Sequence, residues 1–407
     1  MPVDFTLAPE VEDVRLRVRA FMDEEVRPTE EKLRHGEADR NGYVTAIAGL
    51  RRRAQDLGLW NPHLPKEWGG MGLGNVAMAF VSAEAGRTGI GPYVLNAQAP
   101  DEGNMHTLLH NANDAQKEKY LRPLAEGRSR SCFAMTEPEV AGSDPTGILT
   151  SAVKDGDDWV INGHKWFISG AKGARFAILI ARTDPDADPP QARNSAFLVD
   201  LPAEGWEIVR DIDTMAGQGN HCEIRITNLR VPAENMLGER GHGHLLGQYR
   251  LGPARLAHCM RWIGNAEVAL DMLVDRALHR EAHGSLLADK QAIQWMMAES
   301  AMELYTAKLM VLHAAFLIEE GKPFRNEVSM AKHHVANMLW KIVDRAIQVH
   351  GALGYSTDTP LERMMRNARS ARLVDGADEV HMQTIARNVI AAYRESGDTR
   401  AATGNLL

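Results

Sequence analysis

Trp159–Lys172 reads WVINGHKWFISGAK. Two short, mostly apolar runs, Trp159–Ile161 and Lys165–Ile168, flank Asn162-Gly163. Asn-Gly between two such runs is the strongest short-range hairpin signal, because both residues tolerate the positive φ of a tight turn. The expectation is a hairpin turning at Asn162-Gly163, with Phe167 and Ser169 on one face and Trp166 and Ile168 on the other. Short apolar runs follow at Phe176–Ala181 and Ser195–Asp200, separated by the Pro/Asp-rich TDPDADPPQAR. Glu223–Ile226 and the stop at Pro232 continue the same period. A small β-domain is therefore expected over residues 131–240.

The flanks have a helical period. Val14, Val18, Phe21 and Met22 give Val11–Val26 an apolar stripe, which Pro28 is expected to interrupt. Leu50–Leu59 repeats the pattern and runs into the turn-rich NPHLPKEWGGMGLGN; Pro123 and Gly127 mark a boundary. Gly238–Gly247, GERGHGHLLG, reads as a linker. Beyond it, Arg255–His279 is long and free of proline, and Ala288–Glu320 carries Ile293, Met296, Met297, Ser300, Ala301 and Leu304 on one stripe. Ala331–His350, Leu361–Leu373 and Asp378–Tyr393 complete a set of helices with short connections, the mark of a bundle. The expected fold is mainly α with a central β-domain: a helical N-terminal domain over 1–130, a small β-barrel or sandwich over 131–240, and a C-terminal four-helix bundle over 241–407.

Composition narrows the function. A net charge of −8 and a pI near 6.1 argue against a nucleic-acid binder, whose footprint would be basic. Cys132, Cys222 and Cys259 lie far apart without a C-x-x-C pair, so neither a disulfide framework nor a cysteine metal site is expected. The histidines show no ligand spacing, and no metal is expected. Gly69–Gly74, GGMGLG, has no preceding strand and reads as a loop. The N-terminus lacks the apolar core of a secretory signal and is acidic where a mitochondrial presequence is basic. No uninterrupted run of about 18 apolar residues occurs. The expectation is a cytoplasmic protein with no membrane span.

Three segments carry the chemistry: Cys132–Asp144 (CFAMTEPEVAGSD), Ile161–Lys172 and Val374–His381 (VDGADEVH). Singly each has a bland reading. The first is a Pro/Gly turn after a strand, the second an amphipathic hairpin, and the third a helix start with Asp375 as N-cap and Asp378 and Glu379 in the first turn. Together, in this order, they resemble the acyl-CoA dehydrogenase family over nearly the whole chain. That resemblance implies the family's three-part architecture, FAD as cofactor and an acyl-CoA thioester as substrate. It implies electron-transfer flavoprotein as the electron acceptor, a role in fatty acid β-oxidation, and a homotetramer built as a dimer of dimers.

It also implies site residues. Main-chain groups around Phe133, Met135 and Thr136, with the Thr136 hydroxyl, would contact the isoalloxazine. Gly142 would admit close approach, and Ser143 would donate to the nucleotide or to the substrate's pantetheine. Phe167 stands where the family has a Trp packed on the flavin, and Ser169 where it has Thr. TEPEVAGSD is one residue longer than the family's TEPGAGSD, so the loop at Glu139–Ala141 must bulge. Arg280-Glu281-Ala282-His283-Gly284 answers to R-x-x-F-G with His283 for Phe, and Gln291 follows. Gln348–Tyr355 answers to Q-x-x-G-G-x-G-aromatic, with Gly351 and then Ala352 for the second Gly. These residues would reach the ADP part of the FAD of a neighbouring subunit. Ala377 and Glu379 complete the cofactor set.

Removing a proton from the α-carbon of a thioester needs a nearby carboxylate and donors for the enolate oxygen. Asp375 stands where most of the family carries its catalytic Glu, just before Gly376. Some members place the base just before the position of Arg255, but here that residue is Ala254. The resemblance thus assigns the base to Asp375, the enolate oxygen to the Asp375 backbone N–H and a flavin ribose hydroxyl, and the substrate's CoA end to Arg255, with Ser143 and Gly376 also at the substrate. D-G-x-D-E-V-H is closer to one subgroup, some of whose members are fused to a kinase-like domain, and hints at hydroxylated or phosphorylated acyl chains. Two alternatives stay open: a nitroalkane or acyl-CoA oxidase on the same fold, and a non-catalytic helical assembly protein without flavin.

Overall fold

The computed structural model describes residues 6–34, 40–217 and 220–404. The chain divides into two compact units: Met1–His63, Met71–Ala97 and Arg255–Leu407 form a helical unit, and Leu64–Gly70 with Gln98–Ala254 form a sheet-containing unit.

The sheet contains β1 (Ser131–Ala134), β2 (Ser151–Asp155), β3 (Asp158–Ser169), β4 (Phe176–Arg182), β5 (Asn194–Asp200), β6 (Trp206–Asp211), β7 (His221–Pro232) and β8 (Met236–Leu237). Its order is β6-β7-β3-β2-β4-β5-β8, with β1 added parallel to β4. From Phe176 to Ala181 β4 is apolar at every position, because both its faces are covered there. Ala177, Leu179 and Ala181 join Trp159, Ile161 and Phe197 in one core. Phe176, Ile178 and Ile180 join Met105, Leu108, Leu121 and Leu124 in another. The mainly α fold with a central β-domain is the observed one.

The expected hairpin at Asn162-Gly163 is not formed; β3 runs straight through it. The reversal lies at Asp155–Asp158, where Gly156 has φ +60° and β2 pairs antiparallel with β3. Asn162 Oδ1 accepts the Asn228 N–H from β7 at 2.8 Å. Gly163 serves close approach instead of a turn, since a Cβ there would lie 2.2 Å from Thr150 Oγ1. β7 pairs with β3 on both sides of the dipeptide, and turning would forfeit that ladder.

Pro28 does not interrupt its helix either. Pro9–Phe21 continues through a π-helical turn, Met22–Val26, into Arg27–Arg34. The Arg27 N–H bonds Met22 O, five residues back, and the widened turn relieves the clash a proline ring makes with the preceding turn. The same device carries the chain past Pro123, with Lys117–Leu121 leading into Arg122–Ala125. The glycine-rich stretch read as a linker is also corrected: from Gly243 it is already helix, running to His279 with Pro253 inside. Leu246 is buried in the sheet unit's core, and that packing overrides the poor helix propensity of its glycine neighbours.

In the helical unit, Val18, Phe21, Met22, Trp60, Val81 and Val94 form one core. A larger one joins Gly243–His279 (from Leu256 on), Gln291–Glu319, Arg325–His350 and Leu361–Ala371. On Gln291–Glu319, Ser300 and Leu304 of the expected stripe are buried, while Ala301 is exposed. By length and composition alone, with a mean hydropathy of 1.4 over an 18-residue window, this helix is long and apolar enough to cross a membrane, a test that core helices also pass. Scattered charges such as Glu303 and Lys308 hide that in a search for unbroken runs. It packs on Arg325–His350 and Asn75–Ala85, and leaves Trp295, Met302, Tyr305 and Phe316 exposed.

Candidate active-site elements

In the sheet unit the chain beyond β1 is fastened to β3. Thr136 O accepts the Trp166 N–H at 3.1 Å, and Thr136 Oγ1 donates to Trp166 O at 2.6 Å. The β3–β7 ladder is broken between Lys165 and Ile168, and within that bulge Phe167 sits at φ +52°. A bulky residue held there costs about 1–2 kcal/mol, so its surroundings must over-determine it. Yet the ring is 45% exposed. It meets Trp166 edge-on at 5.1 Å and lies 6.0 Å from His221. His221 Nδ1 is 2.8 Å from Ser169 Oγ, so Phe167 and Ser169 share a face as expected. Burial lowers the pKa of His221.

A buried ion pair pins this shelf from beneath. Lys165 Nζ donates to Glu137 Oε1 at 2.8 Å and to Met135 O at 2.9 Å. Glu137 also accepts the N–H groups of Leu149 and Thr150, closing the loop that follows β1. Burial opposes the Glu137 charge, but Lys165 and these donors win and hold its pKa low. For Lys165 burial wins, and its pKa falls to about 8. In the lengthened segment, Glu139 accepts from His164 Nδ1 at 2.8 Å. Gly142 stands beside Thr136, whose Cγ2 would be 3.4 Å from an added Cβ. Gly142 and Ser143 are exposed. Met135 is buried, and the Phe133 ring lies under the Arg250 guanidinium at 4.3 Å, so main-chain atoms are what this strand has to offer a ligand.

A flavin ring needs an apolar face and polar groups at its edge. A half-exposed aromatic held in a strained bulge, with the Thr136 and Ser169 hydroxyls nearby, fits both needs.

In the helical unit, Asp375 has φ +52° and Gly376 φ +105°. Three helices grip this pair. Arg255 Nε donates to Asp375 O at 2.7 Å, Lys332 Nζ donates to Gly376 O at 2.6 Å, and the His381 ring packs on Gly376, where an added Cβ would lie 2.8 Å from its Nε2. His258 Nε2 lies 3.2 Å from Asp375 Oδ2. Burial lowers the pKa of Arg255 and of the fully buried Lys332. Burial, with the nearby Lys332 and Arg255 charges, pushes His381 down to about 4. Arg255 does not open a helix, as the sequence suggested; it lies within Gly243–His279, and its guanidinium is turned to Asp375.

Asp375 is not an N-cap. Ala377 holds that position for Asp378–Ser396, and Glu379 is exposed in the first turn. Asp378 is the structural carboxylate: it is buried and accepts from Arg372 Nε at 2.7 Å and Asn337 Nδ2 at 3.1 Å. Burial raises its pKa less than these bonds and the nearby His333 lower it.

Of the residues expected at the ADP, His283 and Gly284 form the two-residue turn between Glu281–Ala282 and Ser285–Leu286, both at positive φ. The His283 side chain is exposed on that turn, as are Arg280 before it and Gln291 at the start of the next helix. Gln348 is exposed near the end of Arg325–His350. Gly351 turns the chain at φ +64° into Ala352–Tyr355, with Ala352 exposed. Among the described residues Arg280, His283 and Gln348 share no hydrogen bond with one another. Sequence reasoning missed Glu137, Lys165, His258, Lys332 and His381. One available signal was the spacing of Arg255 and His258, which puts both on one helix face.

The fold and these paired elements define a flavoprotein oxidoreductase class. Residues 8–128, 132–229 and 241–390 match, respectively, the N-terminal, middle and C-terminal domains described for acyl-CoA dehydrogenase. The chain belongs to the acyl-CoA dehydrogenase family. It is 42% identical over 397 residues to "Probable acyl-CoA dehydrogenase FadE2" of Mycobacterium tuberculosis, covering 95% of this chain and 96% of that one. It is 38% identical to "Acyl-CoA dehydrogenase family member 10" of Mus musculus, covering 94% of this chain and 37% of that one. The chain spans about half the length of the chicken and Arabidopsis relatives it matches. Butyryl-CoA dehydrogenase from Megasphaera elsdenii superposes with a TM-score of 0.81 at 28% identity, covering 94% of this chain and 98% of that one. Members of the family are FAD-dependent, act on acyl-CoA substrates and oligomerise.

Proposed function

We propose that this protein dehydrogenates an acyl-CoA thioester at its α,β-bond, with Asp375 as the base that takes the α-proton. The observation that carries the reading is the grip on Asp375. Its main chain, in a left-handed conformation, is held by Arg255, Lys332 holds the following carbonyl, and the His381 ring packs on Gly376. A helix connection alone needs no such investment, whereas a base does, because its contribution of roughly 10²–10⁴-fold depends on placement. FAD, when bound, supplies the acceptor for the β-hydride. Phe167 would lie against its ring, the Thr136 and Ser169 hydroxyls would face its polar edge, and Arg280 and Gln348 would serve its ADP. Arg255 would balance the charge of the CoA end and the base together.

The D-G-x-D-E-V-H motif supports membership of the subgroup with an Asp base, and the exposed apolar face of Gln291–Glu319 supports a homotetramer. Electron-transfer flavoprotein is the proposed acceptor, and three free, buried cysteines suit a cytoplasmic setting. The domains 1–130, 131–240 and 241–407 would supply, in turn, substrate enclosure, flavin contacts, and the base with the oligomer contacts.

Anaerobic titration with a panel of acyl-CoA thioesters tests the reading. The flavin of the wild type should bleach, and Asp375→Asn should bind thioester without bleaching. Bleaching of that variant at the wild-type rate would remove Asp375 from the role. Oxygen consumption with acyl-CoA or nitroethane would reassign the protein to the oxidases.

A further inference from the structure

The grips of Arg255 and Lys332 act on the main chain of Asp375 and Gly376. They fix where the residue stands but leave χ1 and χ2 of the carboxylate undetermined. His258 contacts the carboxylate itself, its Nε2 standing 3.2 Å from Oδ2. It lies three residues after Arg255 on the same helix, so the two project to one face. Arg255 takes the carbonyl and His258 the side chain.

The imidazole is held from its other edge as well. Arg261 Nη2 lies 3.3 Å from His258 Nδ1. Arg261 is buried and is anchored through Nη1 to Ala97 O at 3.1 Å. A guanidinium carries only donors, so Nδ1 must present its lone pair to Arg261. The ring proton therefore resides on Nε2, and Nε2–H donates to the Asp375 carboxylate. The ring also stacks on Trp262, with centroids 5.3 Å apart and planes 23° apart. Arg261, Trp262 and Asp375 thus fix its position, tautomer and plane.

We infer that His258 is the positioning residue of the base: a neutral imidazole whose tautomer is set by Arg261 and whose Nε2–H selects the rotamer of the Asp375 carboxylate. This rests on the reading of Asp375 as the base. In the proton transfer the C–H bond at the α-carbon breaks and an O–H bond forms on Asp375. His258 keeps its own proton throughout and donates to the carboxyl group before and after. Aspartate is one methylene shorter than the family's usual glutamate, so its reach tolerates little error. A misplacement of about 1 Å costs roughly 100-fold in rate.

The test uses the full-length holoprotein, with acyl-CoA thioesters of several chain lengths bearing two deuteriums on the α-carbon. Release of deuterium to water is followed by mass spectrometry, alongside thioester affinity, flavin content and thermal unfolding. His258→Phe keeps a ring to stack on Trp262 but has no donor. His258→Gln offers an amide N–H near the place of Nε2 but no ring. The expected result is a loss of about 100-fold in deuterium release for His258→Phe, with thioester affinity unchanged, and recovery to within about tenfold of wild type in His258→Gln. Equal rates for the two variants, or a faster Phe variant, overturn the inference and make His258 a packing residue. Asp375→Asn separates the two claims. If it is inactive while both His258 variants match wild type, the base stands and the positioning role falls. If Asp375→Asn releases deuterium at the wild-type rate, or wild type releases none from any thioester, the reading of the base falls and this inference with it.

Discussion

Lys165 and Glu137 form an ion pair of 2.8 Å in which both side chains are shut off from water. The pair joins β3 to the loop that follows β1, beneath the bulge that presents Phe167. Removing one partner leaves an unpaired buried charge, which costs about 3–5 kcal/mol. Lys165→Met and Glu137→Gln should each lower stability by that order in chemical denaturation. The double variant should be less destabilised than the sum of the two. Full additivity would show that the pair does not act as a unit.

His381 gives the fold an acid sensitivity. The unfolded chain binds this proton near pH 6.5, and the folded chain withholds it down to about pH 4. Between these values the unfolded state holds more protons, so stability falls as pH falls. The difference is on the order of 3 kcal/mol across the window. Denaturation of wild type and His381→Asn between pH 7 and pH 4 should show a shallower decline for the variant. Parallel curves would contradict the buried neutral imidazole.

Gly376 is constrained twice. Its φ of +105° belongs to glycine, and an added Cβ would lie 2.8 Å from His381 Nε2. Gly376→Ala should cost about 1–3 kcal/mol of stability. It should also slow proton abstraction by at least tenfold, because the added methyl would shift the backbone that carries Asp375 against the His381 ring. Thermal unfolding and α-deuterium release would measure the two effects. A variant as stable and as fast as wild type would refute the packing described.

Phe167 pays a conformational cost that its role as a flavin platform would explain. Phe167→Gly removes the strain of a left-handed phenylalanine, worth about 1–2 kcal/mol. The flavin-free protein should therefore be no less stable than wild type, while flavin retained through purification should drop severalfold. Thermal unfolding of the flavin-free forms and flavin absorbance per chain test this. Unchanged flavin content would end the platform assignment.

Much of the fold was legible along the chain. FAILIA at Phe176–Ala181 is apolar at every position, and both faces of that strand proved to be buried. The stripe on Ala288–Glu320 was sound where Ser300 and Leu304 face the core. Helix ends were less legible at Pro28 and Pro123, since a π turn that absorbs a proline has no local signature. In the candidate site the Asp-Gly pair stood out, but its partners did not. Arg255 lies 120 residues from Asp375 and Lys332 lies 44 from Gly376, and no periodicity links positions so far apart.

By itself, then, the sequence determined what local chemistry governs: the change from a helical to a β period, and a glycine at 376, where the backbone takes a φ that few other residues adopt cheaply. Tertiary structure decided where local preference was outweighed. Asn162-Gly163 favours a turn by an amount comparable with one or two hydrogen bonds. The β7 ladder on either side and the close contact with Thr150 hold it straight. The bulge that exposes Phe167 and the imidazole that meets Asp375 arise in the same way, from contacts between segments that only folding brings together.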